Sequence, residues 1–203
     1  MNPQNGQTPL DYLNQIAPQA PKRAPFTLNL KTILFFGGIA VVLVIILGII
    51  VSSLSGGRKE TWQQLSGRLA TTQTIAEDAT QKLKSSQLRS LNSDLKIYLT
   101  NTQRDATEPL KSLGINPEKL PGNVTKAESA TEMIERLEDA RLNAKFDSTY
   151  SREMSYQLAT ILSLYQQLYA SSNKAEDKAF LDEAYKNLLP TQEALADFSS
   201  SKE

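Results

Sequence analysis

Apolar residues recur every three or four positions along most of the chain after residue 58. The first run contains Trp62, Leu65, Leu69, Thr72, Ala76, Ala79 and Leu83, and the second contains Leu88, Leu91, Leu95, Tyr98 and Thr102. This spacing matches the 3.6-residue period of an amphipathic α-helix, and no stretch alternates as a half-buried strand would. The pattern predicts an all-α domain over residues 58–203, in which the apolar faces meet in an antiparallel four-helix bundle.

Two short motifs indicate where later helices begin, after a loop rich in proline and glycine. Thr125 with Glu128 has the spacing of a capping box, which predicts a helix reaching Asn143. Asn173 with Glu176 resembles a second box and predicts the start of the last helix. The apolar positions expected to face the core in the first of these helices are Ala130, Ile134, Leu137 and Ala144.

The segment from Phe146 to Tyr169 holds four of the chain's seven tyrosines. Such a stripe has two interpretations, a cofactor-binding box or the wall of a helical bundle. On a helical wheel most of the aromatic and aliphatic residues share one broad face, which favours core packing. The positions left on the polar side are Arg152, Glu153, Tyr156, Ser163 and Gln167. Tyr156 is therefore predicted to be the one tyrosine of this helix that faces outward and is free to contact a partner.

An almost continuous apolar stretch runs from Ile33 to Leu54, and no charged residue lies between Thr32 and Gly57. At about 1.5 Å per residue, this stretch as a helix spans roughly 33 Å, enough to cross the hydrocarbon core of a bilayer. A cleavable signal peptide is the alternative, but its apolar region is usually only about 7–15 residues long. The sequence therefore predicts one transmembrane helix over residues 32–57.

Small residues recur every fourth position within this predicted span, at Gly48, Ser52 and Gly56. Such a row lets two membrane helices approach closely, so it predicts a face for a homodimer. The alternative is that glycine and serine are simply common in membrane helices.

Residues 1–31 form a head rich in proline, glutamine and asparagine, which predicts disorder. Within it, Leu10, Leu13 and Ile16 have helical spacing and Tyr12 lies beside them. The segment 10–16 is either a short docking element for a cytoplasmic partner or the membrane surface, or part of an inert spacer. Lysine and arginine near the two ends of the span are equal in number, so charge does not orient the helix. A short head before a large C-terminal domain is typical of signal anchors, which places the head in the cytoplasm and the bundle outside.

The chain has no histidine and no cysteine, and its 22 basic residues balance its 22 acidic residues. It therefore lacks the commonest general base, the thiol nucleophile and the commonest transition-metal ligands. No basic stripe is present, so nucleic acid is not an expected partner. We predict no enzymatic activity, and we assign no catalytic, cofactor-binding or metal-binding residue.

An acidic run is the remaining place where a metal site could form, and it contains Glu128, Glu132, Glu135, Glu138 and Asp139. A carboxylate metal site would need these acids to face inward from two adjacent helices. A solvated helix face needs only pairs at helical spacing, such as Glu132 with Arg136 and Glu138 with Arg141. The second interpretation is favoured.

The motifs FDSTYSREM, from Phe146, and LDEAYKNLLPTQEALADF, from Leu181, resemble an uncharacterised ferritin-like family of bacterial envelope proteins. The resemblance is carried by Phe146, Asp147, Tyr150, Leu189, Pro190 and Thr191. It implies a ferritin-like bundle in an extracytoplasmic setting. The family has an Asp-His pair where this chain has Gln157 and Leu158, and a histidine where it has Leu195. A metal or acid–base role in that family therefore does not extend to this chain.

Together these features predict a single-pass membrane protein that displays a non-enzymatic helical bundle outside the cytoplasmic membrane, with a binding or structural role in the envelope. The expected partners are the lipid bilayer, a protein or other envelope component, and a second copy of the chain. Two alternatives remain open. One is a sensor or signalling module that couples the bundle to the head, and the other is a ferritin-like protein that binds metal through carboxylates alone.

Overall fold

Seven helices follow one another in the part of the chain that the computed structural model describes, residues 57–201. They are α1 (Arg58–Ala79), α2 (Ser86–Asp105), α3 (Thr107–Ser112), α4 (Gly122–Ala127), α5 (Thr131–Leu142), α6 (Phe146–Ser171) and α7 (Ala175–Ser200). Residues 57–201 contain no strand, so the predicted all-α class is confirmed for this part of the chain.

The four longest helices form a helical bundle in which α1 packs against α2 and α6, and α7 packs against α2 and α6. Arg58, at the start of α1, donates to Ser172 just after α6, whereas Asp147, at the start of α6, accepts from the backbone of Ser85 beyond α1. Helices α1 and α6 are therefore antiparallel. The segment containing α3, α4 and α5 connects α2 to α6 and returns the chain to the end at which α2 began.

The apolar periodicity of α1 and α2 correctly predicted their buried faces. Trp62, Leu65, Leu69, Leu88 and Leu95 are all fully or almost fully buried. The Trp62 ring also stacks on Phe180 of α7 with 6.1 Å between ring centroids, so α1 is held against the last helix as well. Burying one large side chain of this kind contributes about 1.5–3 kcal/mol.

The capping box predicted at Thr125 and Glu128 is wrong. Thr125 lies inside α4 and donates its hydroxyl to the carbonyl of Pro121, while Glu128 ends that helix and turns toward Arg68 of α1. The helix expected over this region is interrupted at residues 128–130, because Ala130 adopts a left-handed backbone with φ of 50°. Helix α5 begins only at Thr131.

The break after α4 also changes which face of α5 is buried. Met133, Leu137 and Ala140 face the core, whereas Ile134 is 42% exposed and Ala144 lies in an exposed turn. Of the four positions predicted to face inward, Leu137 is buried, Ala130 is partly buried and the other two are exposed.

The second predicted box, at Asn173 and Glu176, is also wrong. The Ser172 hydroxyl accepts a hydrogen bond from the backbone N–H of Lys174 at 3.2 Å and donates to Asp177 at 3.1 Å. The polar residue that organises this turn is thus one position earlier than the motif suggested.

None of the helices within residues 57–201 is long and apolar enough to cross a membrane. The predicted span lies outside the described residues except for Gly57, which has an extended backbone (φ −63°, ψ 157°) before α1 begins. The head with its docking element (Leu10, Tyr12, Leu13, Ile16) and the small-residue row (Gly48, Ser52, Gly56) also lie outside the described residues.

Candidate functional site

Helix α6 is enclosed by α1, α5 and α7, and its aromatic stripe forms part of the bundle core. Its most deeply buried residues include Tyr150, Met154, Leu158, Ile161, Tyr165 and Leu168. The bundle-wall interpretation is therefore confirmed for these residues. Glu153 and Ser163, predicted on the polar side, are also buried, because helices pack on three sides of α6 rather than on one.

The buried tyrosine hydroxyls are bonded to groups inside the protein. Tyr150 donates to the Asn92 side chain at 2.5 Å, and Tyr98 donates to the carbonyl of Ala184 at 2.9 Å. The hydroxyls of Tyr98 and Tyr165 are 2.8 Å apart. Burial raises the pKa of Tyr98 to about 12 and raises the pKa of Tyr150 and Tyr165 as well. These phenols therefore remain protonated and link α2, α6 and α7.

A groove of about 610 Å³ lies between α5, the middle of α6 and the segment that follows α4. We call it the Tyr156 groove, and its lining includes Arg68, Lys126, Glu128, Glu132, Met133, Arg136, Glu153, Tyr156, Gln157 and Thr160. Tyr156 is 38% exposed, so its ring is available at the groove while its backbone is fixed in a long buried helix. The exposure predicted for Tyr156 is confirmed.

The groove contains a buried ion pair between the chain segment after α4 and helix α1. Glu128 Oε2 lies 2.6 Å from Arg68 Nη2, and Arg68 Nη1 donates to Gln157 at 2.9 Å. The Arg68 Nε group and Glu128 Oε2 nevertheless have no well-aligned hydrogen-bond partner among the described residues. Burial raises the pKa of Glu128, and the neighbouring Arg68 guanidinium opposes that rise.

Gly67 allows this approach, because a Cβ atom there would lie 3.3 Å from Glu128 Cγ. An alanine at position 67 would require the Glu128 side chain to shift by a few tenths of an ångström.

A second ion pair joins α5 to α6 in the same groove. Arg136 binds Glu153 through two hydrogen bonds, at 3.1 and 2.8 Å, and this contact raises the pKa of Arg136. Glu132 lies 3.8 Å from the same guanidinium. Three basic and three acidic side chains line the groove and all but Lys126 take part in these ion pairs, so the groove has no strong net charge.

The acidic run largely forms the solvated face that its spacing predicted. The pairs Glu132 with Arg136 and Glu138 with Arg141 are both present, the latter at 2.8 Å. Within residues 57–201, no three acidic side chains lie close enough together to hold a metal ion. Leu158 and Leu195, at which the resemblance would have placed histidines, are buried in the core.

The expectation that Tyr156 is the only outward-facing tyrosine of α6 is wrong, because Tyr169 is 44% exposed. Its ring lies 5.2 Å from the ammonium group of Lys178 on α7 rather than in the core. Sequence reasoning also missed the pairing of Arg68 with Glu128. These two residues are 60 positions apart, and no local spacing connects them.

Comparisons with protein-family models, curated proteins and solved structures gave no match to this chain.

Proposed function

We propose that the helical bundle is a non-enzymatic binding module, displayed outside the cytoplasmic membrane by a transmembrane helix over residues 32–57 with the head in the cytoplasm. The observation that carries this proposal is the Tyr156 groove. A half-exposed tyrosine there lies beside two ion pairs on a rigid helical framework. Tyrosine is enriched among residues that dominate binding energy at protein interfaces, because its ring adds apolar area and its hydroxyl adds a hydrogen bond.

The partner best suited to this groove is a protein segment that places an apolar side chain on Tyr156. Such a segment would also bring backbone N–H and C=O groups to the polar surface. The partly exposed guanidinium of Arg136 and the exposed carboxylate of Glu132 can then form hydrogen bonds with those groups. Because the ion pairs are already assembled, little side-chain entropy is lost when the partner binds.

We further propose that the bundle belongs to the ferritin-like class. Helices α1 and α2 are joined by a short turn, as are α6 and α7, and a single long connection joins the two pairs. Ferritin-like bundles have one such crossover. This arrangement supports the class that the resemblance implied.

A signalling role is supported by the contacts at the start of α1. Arg58 donates to Asp177 at 2.5 Å and to Ser172 at 3.0 Å, so the first residue of α1 is tied to the turn between α6 and α7. A displacement of the chain at Gly57 would reach this turn directly. Deleting residues 10–16 tests the signalling role, because a signalling protein should then lose its cellular phenotype although its bundle stays folded.

Site-specific photo-crosslinking in intact cells tests the binding module. A photoreactive residue at Thr160, within the groove, should give a discrete adduct with a protein partner. Tyr156→Ala should abolish the adduct, and the matched change Tyr169→Ala should leave it unchanged. Equal adduct yields in both variants would show that the groove is not the binding surface. Protection of residues 57–201 from external protease in spheroplasts would contradict the proposed orientation.

A further inference from the structure

A second cavity, of about 400 Å³, lies at the end of the bundle opposite Arg58. It is formed by the turn between α1 and α2, the turn between α5 and α6, and the end of α7. We call it the distal cavity. Its lining residues are Lys82, Lys84, Ser85, Arg141, Ala144, Lys145, Phe146, Asp147, Ser148 and Phe198.

Basic side chains outnumber acidic ones in the lining of the distal cavity. Four of the lining residues are lysine or arginine, and Asp147 is the only acid among them. Both Asp147 oxygens are already used, because they accept the backbone N–H groups of Lys84 at 3.0 Å and Ser85 at 2.7 Å. The carboxylate thus holds the two turns together and does not neutralise a neighbouring ammonium group by direct contact.

The four cations differ in how far they are neutralised. Lys82 pairs with Asp78 and Glu138, and Arg141 pairs with Glu138 through its Nε group. The ammonium groups of Lys84 and Lys145, by contrast, contact no carboxylate within residues 57–201, and both side chains are exposed. Against the single negative charge of Asp147, these two lysines leave the cavity with a net positive charge.

The start of α6 at the cavity adds to this positive potential. Lys145, the N-cap residue of α6, supplies no side-chain hydrogen bond to the free N–H groups of the first turn, whereas the start of α2 is already capped by the Ser85 hydroxyl and the Asp147 carboxylate. Helix N-termini carry a partial positive charge and attract anions. The largely buried rings of Phe146 and Phe198 supply an apolar wall.

We propose that the distal cavity binds the phosphate group of a small organic phosphate. A phosphate monoester carries nearly two negative charges at neutral pH, and the ammonium groups of Lys84 and Lys145 are available to contact it. Arg141 contacts Glu138 through Nε, which leaves its two terminal nitrogens able to add the fork-shaped contact that phosphate oxygens accept. A cavity of about 400 Å³ holds more than one phosphate group, and the phenylalanine wall suits the organic part of the ligand.

Isothermal titration of the full chain in nonionic detergent, with glycerol 3-phosphate and then inorganic phosphate as probes, tests this site. Glycerol 3-phosphate should bind at one site per chain and more tightly than inorganic phosphate. The double variant Lys84→Ala/Lys145→Ala should weaken that binding at least tenfold. Both side chains are exposed, so the fold should be retained, and circular dichroism checks this.

The matched control is Lys59→Ala/Lys111→Ala, which removes the same charge from exposed positions outside the cavity. Its affinity should stay within about twofold of the original chain. Equal losses in both double variants would show a general charge effect and overturn the site. No saturable binding of either probe would also overturn it, and equal affinity for both probes would overturn the part of the proposal that gives the ligand an organic moiety. None of these outcomes depends on the Tyr156 groove.

Discussion

The hydroxyl of Tyr150 lies at the centre of the bundle and its loss should be measurable. Tyr150 donates to Asn92 Oδ1 at 2.5 Å, and the Asn92 amide donates in turn to the carbonyl of Ala76 at 2.9 Å. Asn92 is only 2% exposed, so water does not reach it readily. Tyr150→Phe removes one oxygen atom, keeps the ring in place and leaves Asn92 Oδ1 without its donor.

The expected cost follows from this geometry. A buried acceptor left without a partner costs about 1–3 kcal/mol, because its desolvation is no longer compensated. The Tm of a domain of this size shifts by roughly 2–4 °C for each kcal/mol, so Tm should fall by about 2–12 °C. Asn92→Ala removes the acceptor of this hydrogen bond. In a chain that already carries Asn92→Ala, Tyr150→Phe should therefore lower the stability much less than it does in the original chain.

Trp62 provides the assay, since it is the only tryptophan in the chain and is fully buried in α1. Urea unfolding of the full chain in nonionic detergent, followed by Trp62 emission, gives the free energy of unfolding for each variant. Tyr156→Phe is the matched control, and as a surface change it should stay within about 0.5 kcal/mol of the original. The reasoning is refuted if Tyr150→Phe also stays within that limit.

Two further perturbations test the ion pairs. Burial raises the pKa of Glu128 in the folded chain, so the fold favours the protonated form of this carboxyl group. The stability that the protonated form contributes is lost as pH rises through the folded-state pKa. The stability of the original chain relative to Glu128→Gln should therefore fall with rising pH in urea titrations, and a difference that stays constant or rises with pH would contradict this reasoning. Arg58→Ala leaves the buried Asp177 carboxylate without its guanidinium and should cost about 1–3 kcal/mol in the same assay. The exposed neighbouring change Lys59→Ala should cost little, and equal losses in the two variants would contradict the assigned role of the Arg58 contact.

The apolar faces of α1 and α2 could be predicted because burial and helical period agree there. Trp62, Leu65 and Leu88 fall on one face of their helices, and each of those faces has one core to meet. Helix α6 was harder, since it packs against three neighbours and buries even Glu153. A wheel divides a helix into one inner and one outer face, and α6 has no clean division of that kind.

The connection between α2 and α6 was predicted least well. Thr125 and Glu128 have the spacing of a capping box, but the Glu128 carboxylate binds Arg68, which is distant in sequence, instead of a backbone N–H group. The left-handed backbone of Ala130 carries no sequence signal, because alanine rarely adopts it. The Arg68–Glu128 pair of the Tyr156 groove therefore depends on a tertiary contact that no short window of sequence contains.

The enclosure of α6 by three other helices also determines how the protein should open. Backbone amides in the middle of α6 should exchange their hydrogens with solvent only when the whole bundle unfolds, since no partial opening uncovers them. Amides of α3 and α4, six-residue helices in the connection, should exchange through local opening at far lower free energy. A molecule that covers the Tyr156 groove would then slow exchange mainly in the segment after α4 and in α5, and that protection pattern would locate the ligand without a structure of the complex.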